Sequence, residues 1–247
     1  MTFDYAGSVS APRVIDSTAH ELIAIKPAGL QCEVPRDSQA DSLVRQLERE
    51  GFADLRLAHR LDAPACGVVL IARTAAAAAY YGKEIEERRW HKWYVARVAR
   101  PASRVNGLVG SHKAYLKTEG NSALIVHAGG KPSFLDVVQV APAPDAAGES
   151  DVLIRLLTGR FHQIRVMMAN LGAPLSGDTR YGGPAGAMYL EHVLLGAKPA
   201  QSERWRVWQS PPHRDRPQWH TDMTAAVAGQ ASALTTTLDA ELVAPAE

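Results

Sequence analysis

The chain has 247 residues, 46% of them hydrophobic, with 27 lysines and arginines against 26 aspartates and glutamates for a net charge of +1. That is enough apolar material for a sizeable core, and the near-neutral balance leaves local clusters as the electrostatic signal of a polyanionic partner. No stretch approaches the roughly 20 apolar residues of a membrane span, the N-terminus lacks a signal-peptide pattern, and Cys32 and Cys66 have no CxxC spacing. A soluble cytoplasmic protein is expected, with no membrane partner, disulfide framework or metal.

Residues 1–10 are expected to form a flexible tail, residues 11–222 the working domain, and residues 223–247, rich in Ala and Thr, a tail or marginal helix. In "VIDSTAHELIAIKPAGL" two apolar runs flank a turn, and Lys26-Pro27 and Gly29 stop the second, which predicts a strand, a turn and a strand. "DSLVRQLEREG" has Leu43, Val44 and Leu47 at helical spacing with Gly51 as a stop. "HRLDAPA" (59–65) contains Pro64 and therefore reads as a loop feeding the buried strand "GVVLIA". By composition alone, Arg60 and Asp62 in that loop make a surface ion pair.

Thr74 is placed to cap a helix through "AAAAAYYGKEIEERR", and "WHKWYVARV" alternates as a strand with Lys92, Tyr94, Ala96 and Val98 on one face. The region 107–140 has the punctuation of hairpins, and "APAPDAAGES" reads as a surface loop. "DVLIRLL" is a strand, "TGR" a turn, and "FHQIRVMMANLG" a helix with Phe161, Ile164, Met168 and Leu171 as its apolar stripe. His162 and Arg165 share a face beside that stripe. The loop "APLSGDTRYGG" follows, then short strands near "LLGA" and "RWRVWQ". Many short strands with few helices predict an α+β domain on a mixed, mostly antiparallel sheet.

Metalloprotease, P-loop, dinucleotide and GxSxG hydrolase patterns do not occur. What remains is carboxylate, arginine and tyrosine chemistry. The basic run 87–100 includes Arg88, Arg89, Lys92, Arg97 and Arg100, and the run 213–220 adds two arginines; each is a candidate nucleic-acid contact.

"AHRLDAPACGVVLIAR", "HKWYVARV" and "LLTGRFHQIRVMMANLGAPLSGDTRYGG" resemble, in order, three signature regions of the RluA-type pseudouridine synthases, and "VIDSTAHELIAIKPAGL" resembles the family's N-terminal region. The likeness runs from about Arg13 to Trp219. It implies a pseudouridine synthase fold with peripheral helices around a central cleft, and isomerisation of uridine in structured RNA without a cofactor. It also implies that Asp62 is the catalytic carboxylate, Arg165 its partner and Tyr94 the active-site tyrosine. Whether Asp62 attacks sugar or base, or works through a glycal, stays open. An adjacent guanidinium favours the ionised carboxylate, and the tyrosine ring can stack on uracil while its hydroxyl moves a proton.

Arg60 matches a residue associated with opening the RNA stack while the uridine is flipped out. His59, Lys92, Arg160, His162 and Gln163 complete the RNA-binding candidates, each of the histidines, Arg160 and Gln163 able equally to brace a loop. Lys26 of "KPAG" reads as scaffold or RNA contact, and Asp178 as a turn residue at the floor of the site. Trp90 and Trp93 are expected to stack on unpaired loop bases of an rRNA or tRNA stem-loop bound by a monomer. Cys66, Met167 and "KPSFLDV" depart from the family pattern, so the RNA target stays open. They also motivate the alternative of a non-catalytic RNA-binding or ribosome-assembly protein that retains the fold.

Overall fold

The computed structural model describes residues 11–35, 37–213 and 216–240, without the side chains of 238–240. In chain order the elements are β1 (Arg13–Ser17), β2 (Glu21–Lys26), α1 (Leu43–Arg49), β3 (Arg56–Leu57), β4 (Cys66–Ala72) and α2 (Ala75–Glu86). They continue with β5 (His91–Val98), α3 (Ala102–Val105), β6 (Gly110–Glu119), β7 (Ser122–Ile125), β8 (Lys131–Pro142) and β9 (Ser150–Leu156). The last are α4 (Gln163–Asn170), β10 (Leu190–Ala197), β11 (Arg206–Gln209) and α5 (Thr221–Ala240). Two compact units emerge: among the described residues, one holds 11–91, 192–213 and 229–240, the other 92–191 and 216–228. The expected N-terminal tail lies outside the described residues, as do Arg214 of the second basic run and residues 241–247 of the C-terminal segment.

In the first unit, β2 pairs antiparallel with β1 on one side and β4 on the other. Every residue of "ELIAIK" and "CGVVLIA" is buried, which is why both read as unbroken apolar runs instead of alternating ones. The β1–β2 turn is held by Thr18, whose Oγ1 accepts from the amides of His20 and Glu21 at 3.1 and 3.2 Å. Thr74 and Ser42 cap α2 and α1 by accepting from Ala77 and Arg45 amides, as short polar side chains at helix starts do. The apolar cluster joins Ile23, Ile25, Val68, Leu70, Tyr81, Trp90, Leu195 and Trp208. Each such side chain contributes roughly 1.5–3 kcal/mol by leaving water.

Trp90 is thus a core residue, 5% exposed, with its ring edge-on to Tyr81 and His59. Its expected role as a stacking platform for RNA is corrected by that burial. Tyr81 donates to Glu21 at 2.8 Å and accepts from the Ala200 amide at 3.0 Å. Burial and the neighbouring Glu21 raise its pKa well above the usual tyrosine value.

In the second unit the strand order is β5-β9-β8-β6-β7, each neighbouring pair antiparallel. Together with the hairpins of the first unit, this is the α+β, mostly antiparallel architecture expected from the sequence. β9 is buried at six of seven positions and carries "DVLI" through the middle of this sheet. β6 alternates and is largely exposed.

β5 is buried from Lys92 to Val98, which corrects two expectations about the basic run. Trp93 is 5% exposed and faces the Arg155 guanidinium at 6.0 Å, so it offers no free ring. Arg97 points inward: Nε and Nη2 donate to Asp151 at 2.9 and 3.1 Å, Nη1 to Asp145 at 2.7 Å, and Nη2 to the Gln218 carbonyl at 3.2 Å. Arg89 is likewise paired with Glu84 and Glu87. Two of the run's five cations, Arg89 and Arg97, are therefore neutralised by acids of this chain.

A further correction concerns α4. It starts at Gln163 and not at Phe161, because His162 takes a left-handed conformation with φ 52°. Phe161 is consequently 44% exposed and no part of the buried stripe.

Candidate active site

The first unit supplies the loop that carries Asp62. Leu61 is buried and its backbone is clasped by Cys32, whose Sγ accepts from the Leu61 amide at 3.3 Å and donates to its carbonyl at 3.4 Å. Ala63 is held through its carbonyl, which accepts from the Gly29 amide at 2.8 Å and from Lys26 Nζ at 3.1 Å. The same ammonium donates to the carbonyls of Pro27 and Leu30 at 2.9 and 2.6 Å. Lys26 is fully buried, and desolvation pulls its pKa down to about 8 against the opposing charges of Cys32, Cys66 and Asp62. It fastens the "KPAGL" turn to the "HRLD" loop and is a scaffold residue.

Asp62 is half-buried between these anchors, and its carbonyl accepts from the Ala65 amide at 3.0 Å. Arg60 turns outward, with a side chain 69% exposed and an ion pair to Glu33 at 2.8 Å. The surface pairing of Arg60 with Asp62 that composition suggested is therefore replaced by one with Glu33. His59 faces inward: its Nε2 accepts from the Leu70 amide at 3.0 Å, and its ring lies edge-on to Trp90 and His192. That geometry makes it a brace between the loop and β4.

The second unit supplies the other candidates. Tyr94 is 6% exposed on β5, opposite Ile154 of β9. After β9 the "TGR" turn is organised by Gln163, whose Oε1 accepts from Thr158 Oγ1 at 2.8 Å and the Arg160 amide at 3.0 Å, and whose Nε2 donates to the Phe134 carbonyl at 2.9 Å. Gln163 is 3% exposed. Its carboxamide braces the turn from inside the protein, one of the two roles expected of it.

One turn into α4, Arg165 is 6% exposed. Its Nε and Nη2 donate to Asp178 Oδ2 and Oδ1, both at 2.7 Å, and its guanidinium lies 5.2 Å from the Tyr181 ring centroid. Asp178 is thus more than a turn residue. Its own backbone is locked, since its carbonyl accepts from the Tyr181 and Gly183 amides at 3.1 and 2.9 Å. Gly183 allows this wrap, because a Cβ there would lie 2.0 Å from the Leu175 carbonyl oxygen.

Tyr181 closes the arrangement. Its hydroxyl accepts from the Ala123 amide at 2.8 Å and meets His162 Nδ1 at 2.8 Å. The His162 ring is stacked under Phe161 with centroids 3.8 Å apart. Burial raises the Tyr181 pKa. The sequence marked Phe161 only as part of an apolar stripe and did not mark Tyr181 as a site residue; the one available signal was the place of Tyr181 three residues after Asp178 in a turn-rich loop.

The nine expected site residues fall as three in the first unit, His59, Arg60 and Asp62, and six in the second, Lys92, Tyr94, Arg160, His162, Gln163 and Arg165. Within the second, Arg160, Gln163 and Lys92 gather at the "TGR" turn, and Arg165 and His162 meet at Tyr181.

Residues 20–170 match the family model described as RNA pseudouridylate synthase, and the chain belongs to that family. It is an RNA pseudouridine synthase, an enzyme class that isomerises uridine in RNA, and of the RluA type. It is 31% identical over 180 residues to the dual-specificity RNA pseudouridine synthase RluA of Escherichia coli strain K12, covering 72% of this chain and 81% of that one. The protein of the same description from Vibrio vulnificus strain CMCP6 is 30% identical over 187 residues, 74% of each chain. The solved structure of human RNA pseudouridylate synthase domain containing 1 has the same fold, with a TM-score of 0.68 at 23% identity over 91% of this chain and 98% of that one. Among the described residues no helix is long and apolar enough to cross a membrane.

Proposed function

We propose that this protein converts specific uridines of rRNA or tRNA to pseudouridine, with Asp62 as the nucleophile and a module spanning residues 11–222 as the catalytic domain. The reaction breaks the bond between ribose and N1 of uracil, turns the base, and rejoins it through C5. An ionised carboxylate divides that change into easier steps. Arg165 serves as the cationic partner that favours the ionised carboxylate, and Tyr94 stacks on uracil and handles the C5 proton.

The observation that carries this reading is the mounting of Arg165. A buried guanidinium fixed by two parallel bonds to Asp178 and lying against a tyrosine ring cannot wander, which is what a partner for a reacting carboxylate requires. Arg60 enters the RNA stack as the uridine leaves it. Its exposed pair with Glu33 contributes little and yields readily to RNA phosphates. Arg160 and Lys92 contact the RNA backbone, and the exposed Phe161 ring stacks on an unpaired base beside the target.

Mapping pseudouridines in total RNA from cells carrying Asp62→Asn tests the proposal. One or more rRNA or tRNA pseudouridines are lost while the purified variant melts at the temperature of the parent. An unchanged map overturns the assignment.

A further inference from the structure

Lys92 and Arg160 stand in an unusual electrostatic position. Lys92 is 9% exposed, and among the described residues its ammonium has neither a hydrogen bond nor a carboxylate partner. It lies directly under the "TGR" turn, so that a side chain added at Gly159 would sit 3.4 Å from Nζ. The charge that acts on it is that of another cation, Arg160, whose Nε is buried and also without a hydrogen bond. A lone buried cation costs several kcal/mol, and a second one beside it adds repulsion. Desolvation and Arg160 together pull the Lys92 pKa to about 8.

Among the described residues no ion pair joins either cation to a carboxylate. Nor are the two cations there by looseness of the chain. The Arg160 amide is fixed by Gln163, and Lys92 sits in regular strand pairing opposite Leu156. Two fixed donors of like charge with no anion between them form a preorganised receptor for one. Alternation along β5 places Lys92 on the face of Tyr94, about 7 Å away along the strand, a separation that a single nucleotide spans.

We infer that Lys92 and Arg160 together grip one phosphodiester of the RNA backbone at the target nucleotide or its immediate neighbour. Lysine supplies a point charge and arginine directional donors to the same phosphate. The inference rests on the RNA isomerase reading and deepens it, since the grip fixes where the backbone lies relative to Tyr94.

The test uses the full chain and unmodified tRNA and rRNA transcripts, with affinity measured against potassium chloride concentration. Releasing one single-stranded phosphate contact lowers the slope of log K against log salt by about 0.7. Lys92→Met and Arg160→Gln are each expected to lose about that much. The double variant is expected to lose no more than the larger single loss, because one phosphate is shared. Melting temperature is expected to be unchanged or raised in Lys92→Met, since a buried charge is removed.

Unchanged slopes in both single variants overturn the proposal, and so does a double variant that loses two full contacts. Pseudouridine formation by the parent protein on the same transcripts is read separately. Turnover with unchanged slopes rejects the phosphate grip alone, and the expected slopes without turnover by the parent reject the isomerase reading alone.

Discussion

Asp178 and Arg165 are joined by two parallel hydrogen bonds, Nε to Oδ2 and Nη2 to Oδ1, each 2.7 Å long. Both partners are almost wholly buried, so the pair is geometrically strict and intolerant of losing one member. Asp178→Ala removes two charge-assisted hydrogen bonds from a buried guanidinium and is expected to cost about 3–5 kcal/mol of folding stability. Asp178→Asn keeps the size but loses the charge. A misplaced Arg165 is then expected to lower kcat by about 100-fold with a smaller change in KM. Arg165→Lys cannot make the two-point contact and is expected to share that kinetic phenotype. Denaturant melts and steady-state pseudouridine formation check both.

A second buried pair bears on stability alone. Arg97 bridges Asp151 and Asp145, and Asp151 is fully buried with burial pushing its carboxyl pKa up even against the guanidinium. Arg97→Ala is expected to destabilise the protein by about 3–5 kcal/mol. Replacing Arg97 and Asp151 together with apolar residues of similar volume is expected to recover part of that loss. Urea denaturation of the single and double variants measures it.

Lys26 predicts a pH dependence. Its ordinary pKa is 10.5 and its folded value is about 8. The folded protein therefore sheds this proton first, and between about pH 8 and pH 10 the unfolded chain binds more protons. Stability rises with pH across that window, by on the order of 3 kcal/mol for a fully buried lysine with a shift of this size. Lys92, lowered to about 8 as well, acts with the same sign. Tyr81 acts with the opposite sign once its unfolded-state pKa near 10 is reached, because its folded pKa is raised. Free energies of unfolding measured across pH 7–10 in the parent and in Lys26→Met reveal the lysine's share as the part of the rise that the variant lacks.

Phe161 presents an exposed ring backed by the His162 imidazole. Stacking of one base on such a ring contributes about 1–3 kcal/mol. Phe161→Ala is expected to weaken RNA binding by that amount, about 5- to 150-fold, while the melting temperature holds. Affinity for a transcript at fixed salt reports it, and Phe161→Trp is expected to retain the binding.

The strands were legible in the sequence where burial on both faces left unbroken apolar runs, as in β2, β4 and β9, and the start of α2 was legible from Thr74. The start of α4 was not. The spacing of Phe161, Ile164 and Met168 continues a helical stripe backwards past His162, but the Gln163 carboxamide is bonded to the turn and to Phe134, and that tertiary bonding decides where the helix begins. Tryptophans inside a basic run look like nucleic-acid contacts; Trp90 and Trp93 are instead buried by neighbours far away in sequence. The same holds for Arg97, whose partners lie 48 and 54 residues away. At the candidate site, the helix carrying Arg165 and the loop carrying Asp62 could be placed from local pattern. The clasp of Asp178 on Arg165 and the inward turn of His59 depend on partners distant in sequence and could not.

One backbone oxygen ties these observations together. The Phe134 carbonyl accepts from the Leu157 and Thr158 amides at 3.2 and 3.3 Å and from Gln163 Nε2 at 2.9 Å, while its amide donates to Thr158 Oγ1 at 2.9 Å. In surveying terms it is the benchmark from which the "TGR" turn and the first residue of α4 are both levelled. A slip of β8 by a fraction of an ångström at this point is transmitted to the helix that carries Arg165, with no change in any residue that meets the RNA. Silencing of this enzyme by substitutions in a remote hairpin strand would thus be an alignment error, written in the scaffold and read out at the reacting base.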